Sequence, residues 1–117
     1  GKYVAPVPIE SMLGRNADIE LVCVLGSGRK QPVAMVVLGE HLSTRDEKTH
    51  QTLHDTVVAV NAELESHQQL DHIIVSDESW TVENDLLTPT LKIRRNKLEE
   101  RYREIIEKDH PEVVIWL

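Results

Sequence analysis

The stretch DIELVCVLGSGRKQPVAMVVL, residues 18–38, decides the fold class. Asp18 to Leu25 is rich in β-formers and reads as a strand, and Val33 to Leu38 reads as a second. Between them Gly26-Ser27-Gly28-Arg29-Lys30 is a turn-forming stretch of hairpin length. Val33 to Leu38 is apolar at every position rather than at alternate ones, which predicts a strand covered on both faces and therefore internal to its sheet.

Upstream of the hairpin, Lys2 to Val7 reads as a short extended piece limited by Pro6 and Pro8. A short helix follows from Ile9 to Leu13, with Pro8 suited to its first turn and Gly14 to its C-terminal cap. Downstream comes the longest helix. Ser43 and Thr44 are good N-caps, with Asp46 and Glu47 three positions on. Leu53, Val57, Val60 and Leu64 then recur at spacings of four, three and four, giving one apolar stripe on a helix that should end near His67. Asp71 to Val75 reads as a short strand, Ser76 to Asp85 as a polar connection interrupted by Trp80, and Leu86 to Lys92 as a loop shaped by Pro89. A last helix is expected from Asn96, with Glu99 completing an Asn-x-x-Glu cap and Leu98, Tyr102 and Ile105 buried. The apolar tail Val113 to Leu117 should pack back on the domain or on a neighbour. The resulting architecture is α+β: a small, largely antiparallel sheet with a hairpin, covered by one long and two shorter helices.

Composition narrows the function. The chain has 117 residues, enough for one domain, with 13 Lys and Arg against 20 Asp and Glu for a net charge of -7, and no Phe. An acidic surface with few rings opposes phosphate-backbone binding and base stacking, so no nucleic-acid partner is expected. The lone Cys23 excludes an internal disulfide and a multi-cysteine zinc cage, and its apolar surroundings predict a packing role. No apolar stretch approaches the roughly 20 residues needed to span a bilayer, and no signal peptide is visible. The expected setting is cytoplasmic and reducing, with peripheral membrane contact left open. The chain opens at Gly1 without an initiator Met and enters structured-looking sequence at once, which reads as a fragment of a longer protein.

Within this acidic chain Lys92, Arg94, Arg95, Lys97, Arg101 and Arg103 crowd into twelve positions. For Arg101 and Arg103, a solvated helix face paired with Glu99, Glu100 and Glu104 accounts for the charge. For Lys92, Arg94 and Arg95, which precede the helix, the residues leave a solvated loop and an anion-binding loop side by side. His50 and His54 lie four apart on the long helix. Without the neighbouring Glu and third ligand of a zinc hydrolase, they read as a polar helix face, and no metal site is expected. Ser27 between two glycines lacks the context of a nucleophile elbow, and its turn lacks the ending of a phosphate loop.

Two stretches carry a resemblance. GKYVAPVPIE, residues 1–10, is similar to the segment just after the interdomain hinge of adenylate-forming enzymes. LTPTLKIRR, residues 87–95, is similar to that family's C-terminal motif, which ends in a catalytic lysine and a basic pair. The order of elements between them also resembles the family's C-terminal lid domain. The widespread pattern has Gly where Leu91 stands and Glu where Pro8 stands. Both departures look like the long-chain fatty acyl-CoA synthetase branch.

The resemblance implies a ligase that turns a fatty acid and ATP into an acyl-adenylate and pyrophosphate, then forms the CoA thioester. It implies Lys92 as the adenylation lysine, and Gly1, Lys2, Tyr3 and Val4 as the loop facing the pantetheine channel. Lys2, Arg94 and Arg95 are candidates for CoA phosphate contact from their charge. ATP and magnesium would be held mainly by a large N-terminal domain outside this chain, so residues 1–117 alone should be inert. Two rival readings are a free-standing α+β regulatory or interaction module that binds a small anion or acidic partner, and a dimerisation domain built on the tail around Trp116.

Overall fold

The computed structural model describes residues 3–26, 28–42 and 46–117. The elements run α1 (Pro6–Leu13), β1 (Ile19–Leu25), β2 (Val33–Leu38), α2 (Glu47–Asn61), β3 (Ile73–Val75), α3 (Arg95–Arg101), α4 (Arg103–Glu107) and β4 (Val114–Trp116). Short 3-10 turns occupy Glu40–Leu42 and Ser66–Gln68. The class is α+β, and β1 and β2 form the expected antiparallel hairpin in a four-stranded sheet of order β1-β2-β3-β4.

The expectation of a largely antiparallel sheet is corrected: β2–β3 and β3–β4 are both parallel. The reason lies in the connections. A chain that leaves one strand, crosses a face of the sheet as helix and returns must re-enter in the same direction. The segment containing α2 makes one such crossing, and the segment containing α3 and α4 makes the other.

Strand β2 is internal, and all six of its residues are buried. Its pleat divides them between two cores. Ala34, Val36 and Leu38 join Ile9 and Leu13 of α1 and Leu53, Val57 and Val60 of α2 on one face. Val33, Met35 and Val37 join Leu98, Tyr102 and Ile106 of α3 and α4, with Trp80, Leu86 and Leu87, on the other. Helices therefore cover both faces rather than forming one layer. Cys23 lies in the second core, where burial pushes its thiol up to about 12, so it packs as an inert apolar group.

Several local expectations shift. Of the extended piece expected over Lys2 to Val7, the described residues Tyr3 to Ala5 form no strand; α1 begins at Pro6, and both prolines fall in its first turn, where a missing N–H costs nothing. The N-cap of α2 is Asp46, whose carboxylate accepts the Thr49 N–H at 2.8 Å. Ser43 and Thr44, the expected caps, lie outside the described residues. Helix α2 ends at Asn61 rather than near His67, because the Asn61 side chain exchanges hydrogen bonds of 3.0 and 2.8 Å with the backbone of Leu70 and holds the return to β3. Leu53, Val57 and Val60 are fully buried, and Leu64, now beyond the helix, packs partly against the same core.

The last helix starts at Arg95 without an Asn96 cap and breaks at Tyr102 into α3 and α4. Ile106 takes the buried place expected for Ile105, which is half-buried beside it. The tail becomes edge strand β4 and completes the sheet. The described residues contain no helix long and apolar enough to cross a membrane.

His50 is the other correction. Instead of open polar surface it is half-buried, its Nδ1 accepting the Trp116 indole N–H at 3.0 Å, with the two rings stacked. It thus fastens β4 to α2. We expect Leu53→Ala to cost about 2–5 kcal/mol through lost burial and a residual cavity. His50→Ala should cost about 1 kcal/mol through loss of the Trp116 bond. Urea unfolding of both variants checks the order.

His72 precedes β3 and is wholly buried. Its Nδ1 lies 2.7 Å from Asp71 Oδ2, its ring edge meets His110 at 4.8 Å between centroids, and its Nε2 has no hydrogen-bond partner among the described residues. Burial holds its pKa below the ordinary value, against the upward pull of Asp71 and with a smaller downward push from His110 and Arg29. The unfolded chain therefore binds the His72 proton more readily than the folded one. The His72 contribution is complete above about pH 6.5 and is lost as pH falls through the depressed folded value. Stability measured by urea from about pH 7.5 to 5.5 should decline, and the decline should be shallower in His72→Gln.

Candidate functional site

The segment from Leu86 to Arg94 folds back on itself. Leu86 and Leu87 are buried in the second core with Ile93 packed beside them, and Leu87 and Ile93 form an antiparallel bridge. Between these anchors the chain turns: Leu91 N–H donates to Thr88 O at 2.7 Å, with Pro89 and Thr90 at the two central positions. Pro89 supplies the fixed φ favoured at the first of these, and Thr90 is not left-handed, which matches a type I turn. Leu91 then has φ 66°, and Thr88 N–H donates to Lys92 O at 2.8 Å. A type I turn followed by a left-handed residue is a standard three-residue hairpin loop.

This accounts for Leu91. The position needs a positive φ, which glycine adopts freely and leucine at a cost of about 1–2 kcal/mol. Leu91 is also 67% exposed, so its side chain recovers little by packing. We expect Leu91→Gly to leave stability unchanged or raise it by up to about 1 kcal/mol, whereas an ordinary Leu→Gly change destabilises. Thermal unfolding of the variant reads this directly.

The loop presents Lys92 to solvent. The other cations of the cluster are mostly occupied. Arg94 ion-pairs with Asp85, which Lys97 also approaches at 3.5 Å. Arg101 makes two 2.9 Å bonds to Glu78, a carboxylate that also accepts the Tyr102 hydroxyl. Arg95 contacts Glu10 Oε2 at 2.6 Å and donates from Nε to Val24 O at 3.1 Å, while Val24 N–H donates to the same Glu10 oxygen at 2.8 Å. Glu10 and Arg95 together satisfy both backbone groups of Val24 on the open edge of β1. Among the described residues, Lys92 and Arg103 alone in this cluster lack an ion-pair partner, and Lys92 stands at the end of the clamped loop.

Of the other sequence-derived candidates, Tyr3 is 82% exposed and Val4 is half-buried. Both line a cleft of about 790 Å³ with Gly26, Arg29, Lys30 and Arg95. Gly1 and Lys2 lie outside the described residues. The candidates therefore divide: Tyr3, Val4 and Arg95 at the cleft, Lys92 and Arg94 at the hairpin. Arg95 joins the two regions through its bond to α1. The reading of the sequence missed Asp85 and Glu10 as partners of the two arginines. Glu10 closes the stretch GKYVAPVPIE and Arg95 closes LTPTLKIRR, but nothing in either stretch points to the other. The described residues bring no group of three His, Cys, Asp or Glu side chains within reach of a metal ion.

The family of AMP-binding enzyme C-terminal domains matches residues 1–111. The chain belongs to this family. A chloroplastic long-chain fatty acid acyl-carrier-protein ligase of Arabidopsis thaliana is 30% identical over 92% of this chain and 15% of its own length. Human long-chain-fatty-acid–CoA ligase 6 is 28% identical over 92% of this chain and 18% of its own. Among solved structures, the adenylation domain of a carboxylate reductase from Mycobacterium chelonae superposes with a TM-score of 0.74 at 30% identity, covering 92% of this chain and 18% of that one. The corresponding domain from Segniliparus rugosus, in complex with AMP and a carboxylic acid, gives 0.76 at 27%, covering 92% and 18%. The chain thus spans less than a fifth of the length of these relatives.

Proposed function

We propose that this chain is the lid domain of a longer, AMP-forming long-chain fatty acid–CoA ligase, in which Lys92 serves the adenylation half-reaction. The observation that carries the proposal is the state of Lys92: exposed, free of ion-pair partners among the described residues, and set on a hairpin loop anchored in the core. Arg94, Arg95, Lys97 and Arg101 spend their charge inside the domain, and of the two cations left over, Lys92 is the one carried on the anchored loop while Arg103 lies on helix α4.

In the first half-reaction the fatty acid carboxylate attacks the α-phosphorus of ATP and pyrophosphate leaves. Negative charge accumulates on the phosphoryl oxygens and the attacking carboxylate. A compact ammonium on a flexible stem can reach both and offset that charge. In the second half-reaction the CoA thiol attacks the acyl carbon, AMP leaves, and a rotated lid would turn the cleft beside Tyr3 and Val4 toward pantetheine. Lys92 is not among the residues that line that cleft, which suits the use of different faces in the two steps. We assign Arg94 and Arg95 chiefly to holding the loop and the β1 edge, with Arg95 also bordering the cleft. The nucleotide, magnesium and acyl chain would be held by the N-terminal domain.

In the full-length ligase, Lys92→Ala should slow acyl-adenylate formation by about 10²–10³, the scale for losing one electrostatic stabiliser. Thioester formation from supplied acyl-adenylate should be much less affected. Separate single-turnover assays of the two steps decide it. Equal losses in both, or a loss confined to the CoA step, would remove Lys92 from this role.

A further inference from the structure

We infer that Thr88 is a positioning residue for Lys92, acting through its side-chain hydroxyl; the inference rests on the adenylation role proposed above. Both backbone polar groups of Lys92 end on this one residue. Lys92 O accepts the Thr88 N–H at 2.8 Å, and Lys92 N–H donates to Thr88 Oγ1 at 3.0 Å. Thr88 O closes the turn by accepting the Leu91 N–H, and the hydroxyls of Thr88 and Thr90 lie 3.1 Å apart.

The side-chain bond matters because of the residue between. A left-handed Leu91 is the strained link of the loop and tends to relax toward extended backbone, which would swing Lys92 away. In the regular hairpin, one backbone bond per side fixes Lys92. Here the Thr88 hydroxyl adds a second, so the carbonyl and the amide of Lys92 are held together and the direction of its Cα–Cβ bond is set. The exposed ammonium itself stays free to move, and what Thr88 restricts is the base of its stem. Such restriction counts toward rate because a displacement of about 1 Å at a reacting group can cost on the order of 10²-fold.

The test uses the full-length ligase with Thr88→Val, which keeps the β-branched shape and removes the hydroxyl. Acyl-adenylate formation should fall by about 5- to 20-fold while the melting temperature changes by less than about 3 °C. The CoA step from supplied acyl-adenylate should change by less than about twofold. Thr88→Ser, which keeps the hydroxyl, should restore the adenylation rate to near that of the parent. In a Lys92→Ala background, adding Thr88→Val should slow adenylation no further, because a residue acting through Lys92 has nothing left to position. A normal adenylation rate in Thr88→Val beside a crippled Lys92→Ala would sink this inference alone. So would failure of Ser to rescue, or an undiminished Thr88→Val effect in the Lys92→Ala background. A normal rate in Lys92→Ala would instead sink the catalytic reading, and this inference with it.

Discussion

The burial of β2 on both faces is the constraint from which the rest of the domain follows. Six consecutive apolar side chains cannot be hidden by a single layer of helices, since the pleat sends alternate residues to opposite sides. The chain must therefore supply helices above and below, which it does with α1 and α2 on one face and α3 and α4 on the other. Supplying them requires two crossings between sheet neighbours, and the crossings make β3 and β4 parallel to β2. The same geometry leaves β1 as an edge strand, with backbone groups that need partners.

That open edge is where the two distant motifs meet. Glu10 comes from α1 on one face and Arg95 from the start of α3 on the other, and they close over Val24 as a substitute for a neighbouring strand. A strand edge capped by an ion pair has no free hydrogen-bonding row to offer another chain at that point. The capping also fixes the start of α3 relative to α1, and so the Lys92 loop relative to the segment that carries Tyr3 and Val4. An ion pair of this kind, partly shielded and with a backbone bond from each member, has geometric value beyond its modest strength as a surface pair.

The hairpin, the internal placement of β2 and the stripe of α2 were legible in the sequence because each rests on local periodicity. Strand direction was missed, because it is carried by the strand–helix–strand order from Val33–Leu38 through α2 to Ile73–Val75 and not by either strand taken singly. The limits of α2 failed for a related reason: Ser43 and Thr44 have good capping chemistry, yet the described cap is Asp46, and the helix stops where Asn61 finds the Leu70 backbone. His50 read as surface because its partner, Trp116, lies 66 positions away. At the candidate site, Lys92 and its basic neighbours were visible as a cluster of charge. Which of them was free was invisible, because that depends on Asp85 and Glu10, residues without special local pattern.

The distribution of acids decides the character of the basic cluster. In a chain with an excess of carboxylates, a cation stays available only where the backbone carries it beyond their reach. Arg94 and Lys97 flank Asp85, itself left-handed at φ 68°, and Arg101 lies against Glu78. The turn at Pro89–Leu91 lifts Lys92 off this paired surface. The left-handed backbone at Leu91 thus helps hold Lys92 clear of the arginines and lysine that are paired with Asp85, Glu10 and Glu78. A glycine there would allow the same path without strain, and a leucine follows it because the bonds to Thr88 and the Leu87–Ile93 bridge close the loop on either side.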